Sequence, residues 1–178
     1  QTVCNNEPDV LSLIPDSLYV PISTPFELKG EGADADGDAL TFAWEQMDLG
    51  GDAPLGTENT NSPLFRSFPP DNSPNRTFPQ LSNIINNQSS TREILPTQTR
   101  KMNFRLTGRD NKTGGGGVAQ DNLLLFVTNT AGPFRVQNPN TSNVNWRQGA
   151  YELVEWDAAN TDKAPVNCTS VDILLSTD

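Results

Sequence analysis

The sequence predicts an all-β protein, a β-sandwich with a long irregular insertion followed by an incomplete second β-sandwich. Three observations predict it. Hydrophobic residues make up only 34% of the 178 residues, against about 45–50% in an average globular chain. The 14 Pro and 13 Gly mark many turns. Short segments alternate apolar and polar residues with a period of two, the pattern of half-buried strands. The length suits one domain of about 100–150 residues plus something smaller. The boundaries fall as a linker at 1–9, a sandwich at 10–130 with an insertion at 47–100, and the start of a second sandwich at 131–178.

Residues 1–9, QTVCNNEPD, carry no periodicity and read as a linker. LSLIPDSLYVPISTPFELKG then gives short apolar runs broken by Pro15, Pro21 and Pro25, which suits edge strands, because proline cannot donate to a ladder. In Leu40 to Gln46, Leu40, Phe42 and Trp44 share one face, with Thr41 and Glu45 on the other. Its expected partner is Met102 to Thr107, which alternates in the same way, and Leu123 to Val127 closes the unit as a near-continuous apolar strand. Trp44 reads as a core anchor, the role of a central Trp in immunoglobulin-like folds, with Phe42, Phe104 and Leu106 in the same core. Residues 47–100 are rich in Pro, Asn and Ser and too long for a hairpin. An insertion of this kind is either a binding surface or a proline-pinned flap over a sheet edge.

After Thr130 the pattern restarts with AGPFRVQNPN, NVNW, Tyr151 to Asp157 and VDILLSTD. Forty-eight residues are too few for an immunoglobulin-like domain of about 100, so this half is expected to be truncated or completed by strands of another chain. A start at Gln1 and an apolar finish at LLSTD make both ends read as cuts in a longer polypeptide.

Charge and composition exclude several functions. The net charge is −10 and there is no His, which removes Ser-His-Asp and Cys-His nucleophiles and the HExxH zinc site. The chain is therefore expected to be non-catalytic. Its twelve Lys and Arg are scattered, which disfavours nucleic acid, and no apolar run reaches the ~18 residues of a membrane span. Cys4 and Cys168 lie far apart without CxxC spacing. A disulfide between them remains a candidate, although it would tie the start of the first domain to the second; free thiols or partners elsewhere are the other readings. Gly114 to Gly117 lacks the GK[ST] of a phosphate loop and reads as a hairpin tip.

The sharpest chemical feature is Asp34-Ala35-Asp36-Gly37-Asp38. Hard carboxylate oxygens at alternate positions on a turning backbone suit Ca²⁺, which takes six to eight oxygens at about 2.3–2.6 Å; Mg²⁺ demands stricter octahedra. The loop is not an EF-hand, because Glu45, twelfth from Asp34, lies in the alternating strand. Carboxylates this close repel one another, so the loop either holds a cation or is fully solvated. Asp110, at the end of the Met102 strand, and Asn5, Asn6 and Glu7 of the linker could add oxygens, in which case a metal would rigidify the linker.

TPFEL from Thr24 and DADGDALTFAWEQMDLG from Asp34 resemble the PKD-like, immunoglobulin-type modules of bacterial secreted proteins. With PLFRSFPP, NRTFPQL, LPTQTRKMNFRLTGRDN and AGPFRVQNPN the chain is similar, from about Asn5 to Asp178, to the region after the catalytic domain in reprolysin-like zinc metallopeptidases secreted by Bacteroidetes-type bacteria. The resemblance implies calcium ligands at Asn5 or Asn6, at Asp34 and Asp36, and at Asp110. It also implies secretion or a cell-surface location. A peptidase domain with HExxHxxGxxH is missing from a chain without His, so proteolysis would belong to a parent protein; the sorting domain of such proteins is missing as well.

The leading expectation is a calcium-stabilised accessory region that spaces a secreted metallopeptidase or binds its polymeric or protein substrate, in contact with a preceding peptidase domain or neighbouring immunoglobulin-like domains. The alternative is an adhesive surface protein, a stalk or filament of tandem sandwiches. A carboxylate-pair glycosidase using Asp34, Asp36, Asp38 or Glu45 is the least favoured, because the acidic loop sits on a turn.

Overall fold

The computed structural model describes residues 5–15, 17–141 and 144–174. Its elements in chain order are β1 (Asp9–Ser12), β2 (Ser17–Pro21), β3 (Phe26–Leu28), β4 (Gly30–Ala33), β5 (Thr41–Gln46) and β6 (Arg76–Phe78). There follow α1 (Leu81–Ile85), β7 (Arg100–Arg109), β8 (Val118–Thr128), β9 (Arg135–Asn138) and β10 (Glu155–Asp157). The chain is all-β apart from the five-residue α1 among the described residues.

One layer is the four-stranded sheet β2-β8-β7-β5. Its centre is the long β7–β8 hairpin, in register from Arg100 opposite Val127 to Arg109 opposite Val118. β5 adds antiparallel to β7, with Trp44 opposite Leu106, and β2 adds parallel to β8. Two antiparallel pairs, β1–β4 and β3–β6, cover this sheet. Contacts between the layers are direct. The Phe104 ring lies 5.1 Å from that of Phe78 and 6.1 Å from that of Phe26. A Cβ on Gly30 of β4 would fall 2.5 Å from Leu106 Cδ2, and one on Gly108 of β7 would fall 2.4 Å from Val10 Cγ1, so glycine sets how closely the layers approach.

The alternation read from the sequence is the alternation that packs. Phe42, Trp44, Met102, Phe104, Leu106, Leu123, Leu125 and Val127 are all buried, facing Leu28 and Phe78 of the other layer. Burying each large side chain stabilises by roughly 1.5–3 kcal/mol before entropy is subtracted. Trp44 is a core residue whose Nε1 donates to Pro74 O at 2.8 Å, the partner a buried indole N–H requires.

The segment 47–100 is less irregular than its composition implies. It contributes β6, a core strand carrying the fully buried Phe78, and its weakly apolar Leu81–Ile85 is the helix α1. Buried charge fastens it to the sheet. The Arg76 guanidinium donates to Trp44 O, Arg66 O and Glu93 Oε1, and Glu93 Oε2 accepts from Gln80 N. Arg100 reaches Asn59 O and Ser62 O, while Gln46 Oε1 accepts from Leu64 N and Phe65 N.

The first strand begins at Asp9, inside the expected linker. Of the four segments expected as strands after Thr130, two supply strands, β9 and the shortened β10. Residues 144–146 and 171–174 are not strands; 143 and 175–178 lie outside the described residues. β9 and β10 are exposed throughout, and a two-stranded ribbon has no face on which to bury a further strand. Cys168 is an exposed free thiol, and Cys4 lies outside the described residues.

Candidate metal centre

Asp34, Asp36 and Asp38 follow β4 in a tight loop. Asp34 folds it: its Oδ1 accepts from Asp36 N at 2.8 Å and from Asp38 N at 3.1 Å, the side chain standing in for a backbone acceptor as Asp commonly does in turns. One carboxylate oxygen from each of the three aspartates lies within 4.8 Å of those of the other two.

The leading segment and the β7–β8 turn meet this loop. Asn6 donates to Asp36 from its backbone N at 2.7 Å and from Nδ2 at 3.0 Å. Asn5 Nδ2 donates to Asp110 Oδ2 at 2.5 Å. Asp110 is buried at 3% exposure and also accepts from Lys112 N and from Gly117 N. The four-glycine run therefore has a role at its last position. A Cβ on Gly117 would sit 2.9 Å from Glu7 Cα and 3.0 Å from Asp110 Oδ2, so its bare backbone lets the turn close over Asp110 and against the leading segment.

All six residues nominated from the sequence thus lie at one end of the sandwich, in roles that differ among them. Asn6 donates to Asp36 through its backbone N and Nδ2. Asp38 is held by a residue the sequence reading missed, Lys112, whose Nζ donates to its two oxygens at 2.8 and 2.6 Å. The signal was present: Lys112 follows Asp110 by two positions, on the turn that had already been placed beside the acidic loop.

The charges are mutually adapted. The Asn6 backbone N–H, then its side-chain amide, hold the Asp36 carboxyl below the ordinary aspartate value of 3.8. The Lys112 backbone N–H and the Asn5 amide do the same for Asp110. The Lys112 ammonium is raised above 10.5, first by its hydrogen bond to Asp38. Four carboxylates still face one ammonium. Two buried oxygens, Asp34 Oδ2 and Asn5 Oδ1, have no hydrogen-bond partner among the described residues. Orphaned oxygen acceptors beside surplus negative charge fit a hard cation, and Asp34, Asp36 and Asp38 are the residues whose carboxylates lie close enough to share one.

No protein-family model, no curated protein and no solved structure matches this chain.

Proposed function

We propose that this chain is a non-catalytic, calcium-stabilised accessory module of a secreted bacterial metallopeptidase, acting as a spacer or as a binding module for a polymeric substrate or surface. The orphaned oxygens of Asp34 and Asn5 carry the reading, because a divalent cation there would lock the leading segment, the acidic loop and the β7–β8 turn together. The strand order supports a PKD-like, immunoglobulin-type sandwich: a four-stranded sheet with a central hairpin, faced by paired strands around an aromatic core. The exposed β9–β10 ribbon supports residues 131–178 as the start of a second sandwich.

Calcium binding only the folded state stabilises it by mass action, about 2.7 kcal/mol at a hundredfold excess over the dissociation constant. For a chain of this size that is a rise of about 5–10 °C in melting temperature. Differential scanning fluorimetry in millimolar calcium against chelator is expected to show it, and Asp34→Asn to abolish it. An identical melting temperature in the two buffers would remove the metal from the proposal. The exposed apolar side chains of the ribbon, Val136 and Trp156, favour a second reading, an adhesive stalk or filament subunit completed by a neighbouring chain. Solution scattering that finds a monomer at every concentration eliminates it.

A further inference from the structure

The 47–100 segment carries a second site, away from the acidic loop. Leu64 O accepts from Ile94 N at 3.1 Å and Arg92 O from Arg66 N at 3.0 Å, so the two short stretches run antiparallel with Phe65 bridged to Glu93. Phe65 and Glu93 are each 3% exposed. Their neighbours Arg66 and Arg92 therefore stand directly opposite one another on the other, exposed face. Like charges in that position destabilise the pair. Neither guanidinium has an ion-pair or hydrogen-bond partner among the described residues, although the chain is strongly acidic: the paired cations are Lys29, Arg76, Arg100 and Lys112.

Both arginines line a cleft of about 530 Å³ walled by the glycine-containing loop 50–57. The rest of its lining combines the hydroxyl residues Thr57, Ser62, Ser67 and Thr91 with apolar side chains such as Leu55 and with the Asp52 carboxylate. Ser62 of this lining has an unpartnered hydroxyl among the described residues. It is 5% exposed, and buried hydroxyls ordinarily have a hydrogen-bond partner.

We propose that this cleft binds an anionic sugar unit of a polysaccharide, with Arg66 and Arg92 clamping its carboxylate or sulfate group and the Ser62 side of the cleft meeting its hydroxyls. Guanidinium forks match such oxyanions in bidentate fashion, and an anion between the two arginines relieves their repulsion. The volume falls in the range of about 300–1,000 Å³ for small-molecule sites, far more than a bare inorganic anion fills. Hydroxyls set among apolar side chains suit a sugar ring better than a peptide, which would need pockets for alternate side chains. The inference rests on the polymer-binding arm of the proposed function and names the polymer's class.

Calorimetric titration of the full chain with a galacturonate hexasaccharide, a sulfated heparin-type hexasaccharide, a neutral glucose hexasaccharide and hexaglutamate, each in calcium and in chelator, tests it. Binding of at least one anionic saccharide is expected, with the neutral one at least tenfold weaker. Which of the two binds identifies carboxylate or sulfate as the group recognised. Arg66→Gln and Arg92→Gln are each expected to weaken binding tenfold or more, with an unliganded melting temperature that is unchanged or raised. Silence toward both anionic saccharides, full binding by the arginine variants, or hexaglutamate binding as tightly as the saccharides would overturn the proposal. A chain stabilised by calcium but silent toward every saccharide refutes the cleft alone; one that binds saccharide but ignores calcium upholds the cleft and refutes the metal.

Discussion

Asp110 is a buried carboxylate that remains ionised because the surrounding chain donates to it: Lys112 N, Asn5 Nδ2 and Gly117 N all point at its oxygens. Asp36 is held low in the same manner by Asn6. A carboxylate depressed in the folded state binds its proton later than in the unfolded chain. The stability it contributes is therefore present above the ordinary value of 3.8 and is lost as pH falls toward the lower folded value. Urea unfolding followed from pH 5 downward is expected to show a falling midpoint below about pH 4, and Asp110→Asn to flatten that fall. The aspartates themselves were legible from their spacing. The donor roles of Asn5 and Asn6 were not, because which end of an amide faces a carboxylate depends on how the leading segment lies across the loop.

Among the elements, the alternating strands were the most legible. The pairing of Leu40 to Gln46 with Met102 to Thr107 follows from two matched period-two patterns, and β5 and β7 realise it. β6 was hidden because RTF has three residues, too few to show a period, and its place in the core depends on Phe78 meeting Phe26 and Phe104. The Arg76–Glu93 pair was equally invisible, since burial decides whether two distant charges belong together. Glu93 has 1% side-chain exposure and Arg76 14%. Glu93→Ala strands the guanidinium and removes the acceptor of Gln80 N, a loss expected at about 3–5 kcal/mol. Replacing both residues with Met is expected to cost less than Glu93→Ala, as measured by chemical denaturation.

At the scale of the whole molecule the two halves differ in kind. Every member of the buried core cluster precedes Thr128, whereas β9 and β10 bury no side chain. Among the described residues few bonds cross to the later half, among them Ile22 N to Ala131 O and Phe134 N to Thr24 Oγ1. A chain ending at Arg135 is therefore expected to melt within about 4 °C of the 178-residue chain, since about 1 kcal/mol corresponds to 2–4 °C at this size. A larger drop would show that the ribbon helps hold the sandwich. The ribbon's lack of a packed face was not visible in the sequence, because apolar residues such as Val136 and Trp156 look the same there whether or not anything covers them.

The parallel pairing of β2 with β8, five residues from Ser17 opposite Leu124 to Pro21 opposite Thr128, has a mechanical consequence. Tension that enters at the start of β2 and leaves at the end of β8 pulls these two strands in opposite senses along their length. The load then falls on the whole ladder at once, in shear, instead of unzipping it one bond at a time. A sheet of that geometry resists being pulled apart from the start of β2 and the end of β8.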